Sequence, residues 1–163
     1  MTMKIQEINK TDLVDSTYKI QVATFYIDNK LFGIPIEDVL EINRNVDMTP
    51  VPLAPPYIEG VINLRGQIVT AINLKKRIGM IERGSSNVEE SNKQYNNIII
   101  GTRSNCVSLL VDEIGDVLEI SSDDIEPPPD TIKGLDPKYV KNVCKLKGEL
   151  LVVLDSAKVQ SEE

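Results

Sequence analysis

The residues that could carry out catalysis do not form a recognisable catalytic constellation in this chain. The sequence has no histidine, which excludes a histidine general base, a phosphorylated histidine and histidine metal ligands. The two cysteines, Cys106 and Cys144, lack CxxC-type spacing and lie in apolar runs. We therefore expect buried reduced thiols, with a disulfide as the alternative. The chain also lacks a Gly-rich phosphate loop and paired metal ligands. We predict no enzymatic activity, no cofactor and no metal site.

Charged residues cluster at several places without the spacing of a ligand set. Three such pairs do not match a calcium-binding loop, and we predict that they are solvated turns: Asp28-Asn29, Glu89-Glu90 and Asp123-Asp124. Lys75-Lys76-Arg77 places three cations on a predicted short helix, where we expect them to face solvent. The formal net charge is -7 and aromatic residues make up 4% of the chain. This composition argues against nucleic-acid binding, which needs clustered cations and stacking aromatics.

One arginine stands out because it occupies the tip of an apolar hairpin. The stretch from Gly60 to Leu74 is typical of two β-branched strands joined by a tight Leu64-Arg65-Gly66 turn. A lone turn arginine is commonly a solvated residue. Here Gly66 permits a positive φ, which would fix the direction in which the Arg65 side chain points.

The elements that position this hairpin are predicted to be mainly strands. Ile, Val and Leu must build the core, because tryptophan is absent, and these residues favour β-structure. We predict a flexible tail over 1–17, one β half over 18–81, a polar linker over 82–97, a second β half over 98–155, and a short C-terminal helix and tail over 156–163. Ile36 to Leu40 has the spacing of a short helical turn. Each half supplies about five short strands, enough to curl into a small barrel, and the two barrels should share a hydrophobic seam with a groove beside it.

An internal duplication supports the division into halves. Asp38-Val39-Leu40-Glu41-Ile42 recurs letter for letter as residues 116–120, and Pro50 has a counterpart in Pro128. The hairpin from Val61 to Val69 aligns with residues 143–151, which places Lys147 where the first copy has Arg65. The matches occur in the same order and at similar offsets, so we interpret the duplication as real. A strand of one half could still complete the barrel of the other.

These same motifs resemble the CheW family of chemotaxis coupling proteins. The resemblance runs from about Tyr18 to Leu154 and is most specific in the Gly-x-x-Asn-Leu-Arg-Gly string at 60–66. It implies a mainly β fold of two SH3-like five-stranded barrels packed together, with short helical turns. It also implies a non-catalytic adaptor that couples methyl-accepting chemoreceptors to the regulatory domain of the histidine kinase CheA.

The resemblance further implies which residues contact these partners. Val39 and Glu41 match partner-contact positions, Arg65 matches an arginine linked to receptor coupling, and Gly60 and Gly66 match its flanking glycines. Ser108 is assigned to the same partner-binding set, and it stands where some relatives have glycine. We hypothesise that Arg65 pairs with Glu41 beside the receptor-binding surface.

Two further expectations concern neighbouring positions and rival functions. Val39 is either core or interface, and Lys147 is not expected to share the function of Arg65 because lysine lacks the bidentate fork. One alternative is the adaptor module of a CheV-type protein, although the chain stops at Glu163 without a receiver domain. The other is a small β-barrel ligand-binding domain. With no signal core and no membrane-spanning run, we predict a cytoplasmic protein at chemoreceptor arrays, with no membrane insertion.

Overall fold

The fold is built from strands joined by tight turns. In the computed structural model, the described residues are 17–80, 94–130, 132 and 134–161. They form these elements: β1 Lys19–Ile27, β2 Lys30–Pro35, β3 Val39–Val46, β4 Thr49–Pro50, β5 Ile58–Leu64, β6 Gln67–Asn73, α1 Leu74–Arg77, β7 Tyr95–Thr102, β8 Asn105–Val111, β9 Glu113–Ser121, β10 Ile125–Glu126, β11 Val140–Leu146, β12 Glu149–Leu154 and α2 Ser156–Gln160. Three 3₁₀ turns cover Ile36–Asp38, Ser122–Asp124 and Pro137–Tyr139. The mainly β prediction is therefore confirmed.

The strands form two six-stranded sheets of matching design. The first sheet has the order β10-β11-β12-β2-β1-β9, and the second has the order β4-β5-β6-β8-β7-β3. Each strand of one sheet has an equivalent in the other, six strands away along the chain: β4 corresponds to β10, β8 to β2 and β3 to β9, for example. In each sheet one internal pair is parallel, β12 with β2 and β6 with β8, while the other pairs are antiparallel. The duplication seen in the sequence is thus present in the topology.

Each sheet takes strands from both halves of the chain. The β1–β2 hairpin lies in the sheet of β9 to β12, and the β7–β8 hairpin lies in the sheet of β3 to β6. The sequence left open whether the halves exchange strands, and the structure shows that they do. The ranges 18–81 and 98–155 are therefore sequence repeats whose strands are interleaved.

Six strands per sheet can be reconciled with the five predicted. Strand β3 is separated from β4 by only Asp47-Met48, yet the two lie at opposite edges of the second sheet. A single bent segment therefore pairs with β7 at one end and with β5 at the other. The same holds for β9 and β10 in the first sheet. This closure by one continuous segment is consistent with the five-stranded barrel that the resemblance implies.

The apolar core lies mainly between the two sheets, as the predicted seam requires. Its largest cluster combines residues of the first sheet, such as Phe25 and Leu154, with residues of the second, such as Ile98 and Leu109. Two smaller clusters lie within single sheets, one around Leu151 and one around Ile62. Burial of the shared cluster ties the sheets together, since each buried aliphatic side chain contributes about 1.5–3 kcal/mol.

Strand pairing corrects part of the predicted duplication. Val39 lies opposite Ile100, and its equivalent opposite Phe25 in the other sheet is Ile114. The identical pentapeptides therefore lie three residues out of structural register, although the Leu64 and Leu146 hairpins match in register. Pro50 pairs with Gly60, which makes Pro127 its counterpart instead of Pro128. The fold is duplicated, but the most conspicuous string match is not part of that duplication.

Two local predictions need correction, and parts of two lie outside the described residues. The helical turn at Ile36 to Leu40 is shorter, because Val39 already pairs with β7 and this pairing outweighs the local apolar spacing. Of the linker predicted over 82–97, residues 82–93 lie outside the described residues, while β7 begins at Tyr95 and so includes the last three. Nearly all of the tail over 1–17 also lies outside them. The helix predicted after Asp155 is confirmed, with the Asp155 carboxylate accepting from the Lys158 amide at its N-terminus.

Candidate functional site

Arg65 forms a bidentate pair with Glu41, as hypothesised from the sequence. The two terminal guanidinium nitrogens donate to the two carboxylate oxygens at 2.8 Å and 2.9 Å. Glu41 lies on β3, an edge strand, whereas Arg65 lies on the β5–β6 turn near the other edge, so the curl of the sheet is what lets them meet. The Arg65 side chain is 74% exposed and that of Glu41 is 22% exposed. A charge pair with the parallel geometry of a fork is thus presented to solvent.

The backbone at the hairpin tip holds this arginine in an uncommon conformation. Arg65 has a φ of 51° and Gly66 a φ of 87°, so both central residues of the two-residue turn are left-handed, as in primed hairpin turns. The Asn63 side-chain oxygen accepts from the Gly66 amide at 2.9 Å. In the equivalent Lys147-Gly148 turn only Gly148 has a positive φ, of 82°. The two tips therefore differ in backbone as well as in side chain.

The pair also shifts the ionisation of both partners. The hydrogen bond from Arg65, helped by its charge, holds the pKa of Glu41 below its ordinary value in spite of partial desolvation. The same contact raises the pKa of Arg65. Both groups are therefore charged throughout the neutral range, which keeps the guanidinium oriented.

A shallow depression of about 250 Å³ lies beside this pair. Its lining includes Leu40, Leu64, Arg65, Gln67, Ile99 and Arg103. These residues belong to strands and turns of the second sheet alone, so the depression is not the groove between the two barrels that the sequence led us to expect. The reason is the strand exchange, which gathers β3, β6 and β8 around one end of a single sheet.

The two glycines of the predicted site have different roles. Gly66 is exposed at the tip and an added Cβ would meet nothing within 4 Å. Gly60 is buried, and a Cβ there would lie 2.1 Å from the Thr49 carbonyl oxygen. Because Gly60 has no side chain, β4 can approach β5 closely. Thr49 and Met48 occupy the space that a side chain at position 60 would need.

Ser108 does not contribute to the exposed surface, which corrects its assignment as a partner contact. It lies in the middle of β8 between Ile99 and Ala71, and its side chain is fully buried. Its hydroxyl accepts from the Asn97 side-chain amide at 2.8 Å. The face of β8 to which this side chain points is covered, so the hydroxyl does not reach solvent. Its role here is to satisfy a buried polar group.

The sequence left open whether Val39 is a core or an interface residue, and the structure shows it in contact with the core. It is half-buried and packs against the main core cluster. The next residue, Leu40, faces the other way, is 44% exposed and lines the depression beside Arg65. Sequence reasoning missed Leu40 because it treated this segment as helical; the alternation of a strand would have found it.

The structure also shows the environment of the two cysteines and of the three cations at 75–77. Both cysteines are free thiols, with Cys144 buried and Cys106 half-buried. Of the three cations predicted to face solvent, Arg77 is instead buried, Lys75 pairs with Asp28 at 2.7 Å and Lys76 pairs with Glu59 at 3.4 Å. The prediction that these cations face solvent therefore holds for Lys76, which is exposed, and is wrong for Arg77.

The part of the chain that the structure describes offers neither a metal centre nor a membrane-spanning helix. It contains no group of three or more cysteine, aspartate or glutamate residues placed to hold a metal ion. It also contains no helix with the length and apolarity needed to cross a membrane.

Comparison with known proteins identifies the family. The model of the CheW-like domain matches residues 21–163. The chain belongs to the CheW family. It is 33% identical over 145 residues to the chemotaxis protein CheW of Treponema pallidum (strain Nichols), covering 89% of this chain and 84% of that protein. It is 33% identical over 138 residues to the chemotaxis protein CheW of Rhizobium meliloti (strain 1021), covering 83% and 85%.

A solved CheW structure agrees in fold. The scaffolding protein TtCheW from Thermoanaerobacter tengcongensis superposes with a TM-score of 0.71 at 32% sequence identity, covering 85% of this chain and 90% of that one. The resemblance deduced from the hairpin motif is therefore confirmed, together with the mainly β fold. Membership of the CheW family, a family of chemotaxis scaffolds and adaptors, makes this chain a chemotaxis component.

Proposed function

We propose that this chain is a non-catalytic adaptor that couples methyl-accepting chemoreceptors to the regulatory domain of the histidine kinase CheA. The observation that carries the proposal is the exposed bidentate pair of Arg65 and Glu41, which lies on the hairpin most typical of the CheW family. We place the protein in the cytoplasm at the receptor array. The proposal assigns it no chemistry, only the task of holding two partners together.

In this proposal the receptor docks over the depression beside Arg65. Leu40 and Leu64 offer apolar surface there, and the pair of Arg65 with Glu41 fixes where the guanidinium stands before the receptor arrives. A pre-oriented side chain loses less rotamer freedom on binding, which favours affinity. An exposed pair contributes little to folding, so its removal should affect binding more than stability.

The test measures how two single-residue variants bind each of the two proposed partners. Wild type, Arg65→Ala and the matched hairpin variant Lys147→Ala are measured for binding to a receptor signalling fragment and to the CheA regulatory domain. We expect Arg65→Ala to weaken receptor binding by about tenfold or more, the worth of a charge-assisted contact. It should leave kinase binding and the thermal unfolding midpoint intact, and Lys147→Ala should behave as wild type.

Two results would overturn the proposal. One is the failure of wild-type protein to bind either partner under conditions in which it is folded. The other is loss of soluble folding in Arg65→Ala, which would make the arginine a structural residue.

A further inference from the structure

The β7–β8 turn carries a second arginine into the depression beside Arg65. Arg103 is exposed on this turn, lines the same depression and makes no ion pair with any residue that the structure describes. The sequence alone did not single out this arginine. Its position next to the predicted receptor surface emerges only from the pairing of β8 with β6.

Arg65 is paired with a carboxylate, whereas Arg103 is not paired with any residue that the structure describes. Both terminal nitrogens of Arg65 are already engaged by Glu41, and the two charges neutralise each other. Arg103 has no such counter-ion, so the depression as a whole carries one uncompensated positive charge. A local positive charge of this kind stands out against the net charge of -7 of the whole chain.

The turn that bears Arg103 is held from two sides. The Gln67 side-chain amide donates to the Arg103 carbonyl at 3.0 Å, and the Gln160 side-chain amide donates to the Asn105 carbonyl at 2.7 Å. The first bond comes from the hairpin of Arg65 and the second from α2. Two independent braces fix the backbone and so reduce the entropy that Arg103 would lose on meeting a partner.

From this arrangement we propose that Arg103 is a receptor-contact residue that takes a carboxylate side chain of the receptor, while Leu40 and Leu64 take an adjacent apolar side chain. The inference rests on the proposed receptor docking. Arg65 then acts as a fixed part of the wall, and Arg103 supplies the charge that attracts an acidic partner to an otherwise acidic protein.

The experiment measures binding of a receptor signalling fragment by the full chain at about 50 mM and about 300 mM salt, a range over which exposed charge pairs become strongly screened. The variants are Arg103→Glu, Arg103→Gln and Arg103→Lys. Lys147→Glu is the matched control, because it makes the same change of net charge on an exposed turn of the other sheet. Binding of the CheA regulatory domain is the second readout for each variant.

We expect Arg103→Glu to raise the Kd for the receptor by about tenfold at low salt, with Arg103→Gln intermediate and Arg103→Lys closer to wild type. The salt dependence of receptor binding should be weaker in Arg103→Gln than in wild type. Kinase binding should not change, and Lys147→Glu should match wild type in both assays. Reversal of one acidic receptor residue to lysine should restore binding to Arg103→Glu.

Failure of this inference differs from failure of the proposed function. If Arg65→Ala weakens receptor binding but Arg103→Glu does not, only the role of Arg103 is overturned. Equal weakening by Arg103→Glu and Lys147→Glu, or the absence of any restoring receptor reversal, would also overturn it. If wild type binds no receptor at all, the proposed function fails first.

Discussion

Arg65 combines an unfavourable backbone with a favourable side-chain contact. A non-glycine residue with a left-handed φ costs about 1–2 kcal/mol, and residues held in this way are concentrated at functional sites. The turn is stabilised by the Asn63 to Gly66 hydrogen bond and by the bidentate contact with Glu41. Without the left-handed conformation the guanidinium would not be aimed across the end of the sheet. The strain is therefore part of how the site is positioned.

The first prediction concerns the titration of Glu41. Because Arg65 lowers the pKa of this carboxyl group in the folded protein, the pair stabilises the fold above the unfolded value of about 4.3, and the stabilisation is lost as the pH falls through the lowered folded pKa. Carbon-detected NMR of the Glu41 side chain should give a midpoint below that of ordinary glutamates. In Arg65→Ala the midpoint should move upward. A Glu41 midpoint that does not differ between the two proteins would contradict the bidentate pair.

A second prediction separates the two glycines of the site. Gly60→Ala should lower the free energy of unfolding by about 1–3 kcal/mol, because its Cβ would overlap the Thr49 carbonyl oxygen. Gly66→Ala has free space but a φ of 87°, and it should cost about 1–2 kcal/mol. Urea denaturation measures both. If Gly60→Ala kept full stability and lost partner binding, Gly60 would belong to the binding surface after all.

At this scale the sequence predicted some side chains well and others poorly. The Arg65–Glu41 pair was found because an arginine next to Gly66 suggested a fixed direction and the family resemblance supplied a partner. Ser108 was assigned to the surface although it is buried, because its burial follows from the pairing of β8 with distant strands. Local pattern carries no information on such pairing.

At the scale of elements, the short helix α1 anchors the C-terminal helix through a buried arginine. The Arg77 Nε donates to the Val159 carbonyl at 2.9 Å, and a terminal nitrogen donates to the Ser161 carbonyl. The guanidinium also lies over the Tyr57 ring at 4.6 Å and the Tyr139 ring at 5.4 Å. A cation at the C-terminal end of α2 satisfies carbonyl groups that the helix leaves unpaired.

A third prediction follows for this anchor. Arg77→Ala should lower the free energy of unfolding by about 2–4 kcal/mol, because it removes charge-assisted hydrogen bonds and the stacking on two rings. Arg77→Lys should recover only part of the loss, since lysine lacks the planar fork. The exposed neighbour Lys76 is the control, and Lys76→Ala should change stability by less than about 1 kcal/mol. Equal effects of Arg77→Ala and Lys76→Ala would show that the anchor contributes nothing.

The sequence predicted the individual strands and helices better than it predicted which strands of the two repeats are equivalent. The hairpins, α1 and α2 follow from turn residues, caps and alternation, all of which are local signals. The identical pentapeptides misled because Val39 is half-buried against the core whereas Val117 is 50% exposed. Short strings of Val, Leu and Glu suit either face of a strand, so identity of letters does not establish identity of environment.

At the scale of the whole molecule, the exchange of hairpins makes each sheet depend on both halves. The β1–β2 hairpin fills the centre of the first sheet between β9 and β12, and β7–β8 does the same between β3 and β6 in the second. Removing one half would therefore leave the other with a sheet open at its middle and a core cluster missing one wall. No pattern within a single half could have predicted this, since either arrangement buries the same faces.

The last prediction tests this interdependence. A fragment of residues 1–93 and a fragment of residues 94–163 should each be unfolded alone, because a small domain that loses its central hairpin cannot bury enough apolar surface to offset chain entropy. Mixed together, they should recover the strand signal in circular dichroism and a cooperative thermal transition. The intact chain is the control for both. A fragment that folded cooperatively by itself would contradict the exchanged topology and favour two self-contained halves.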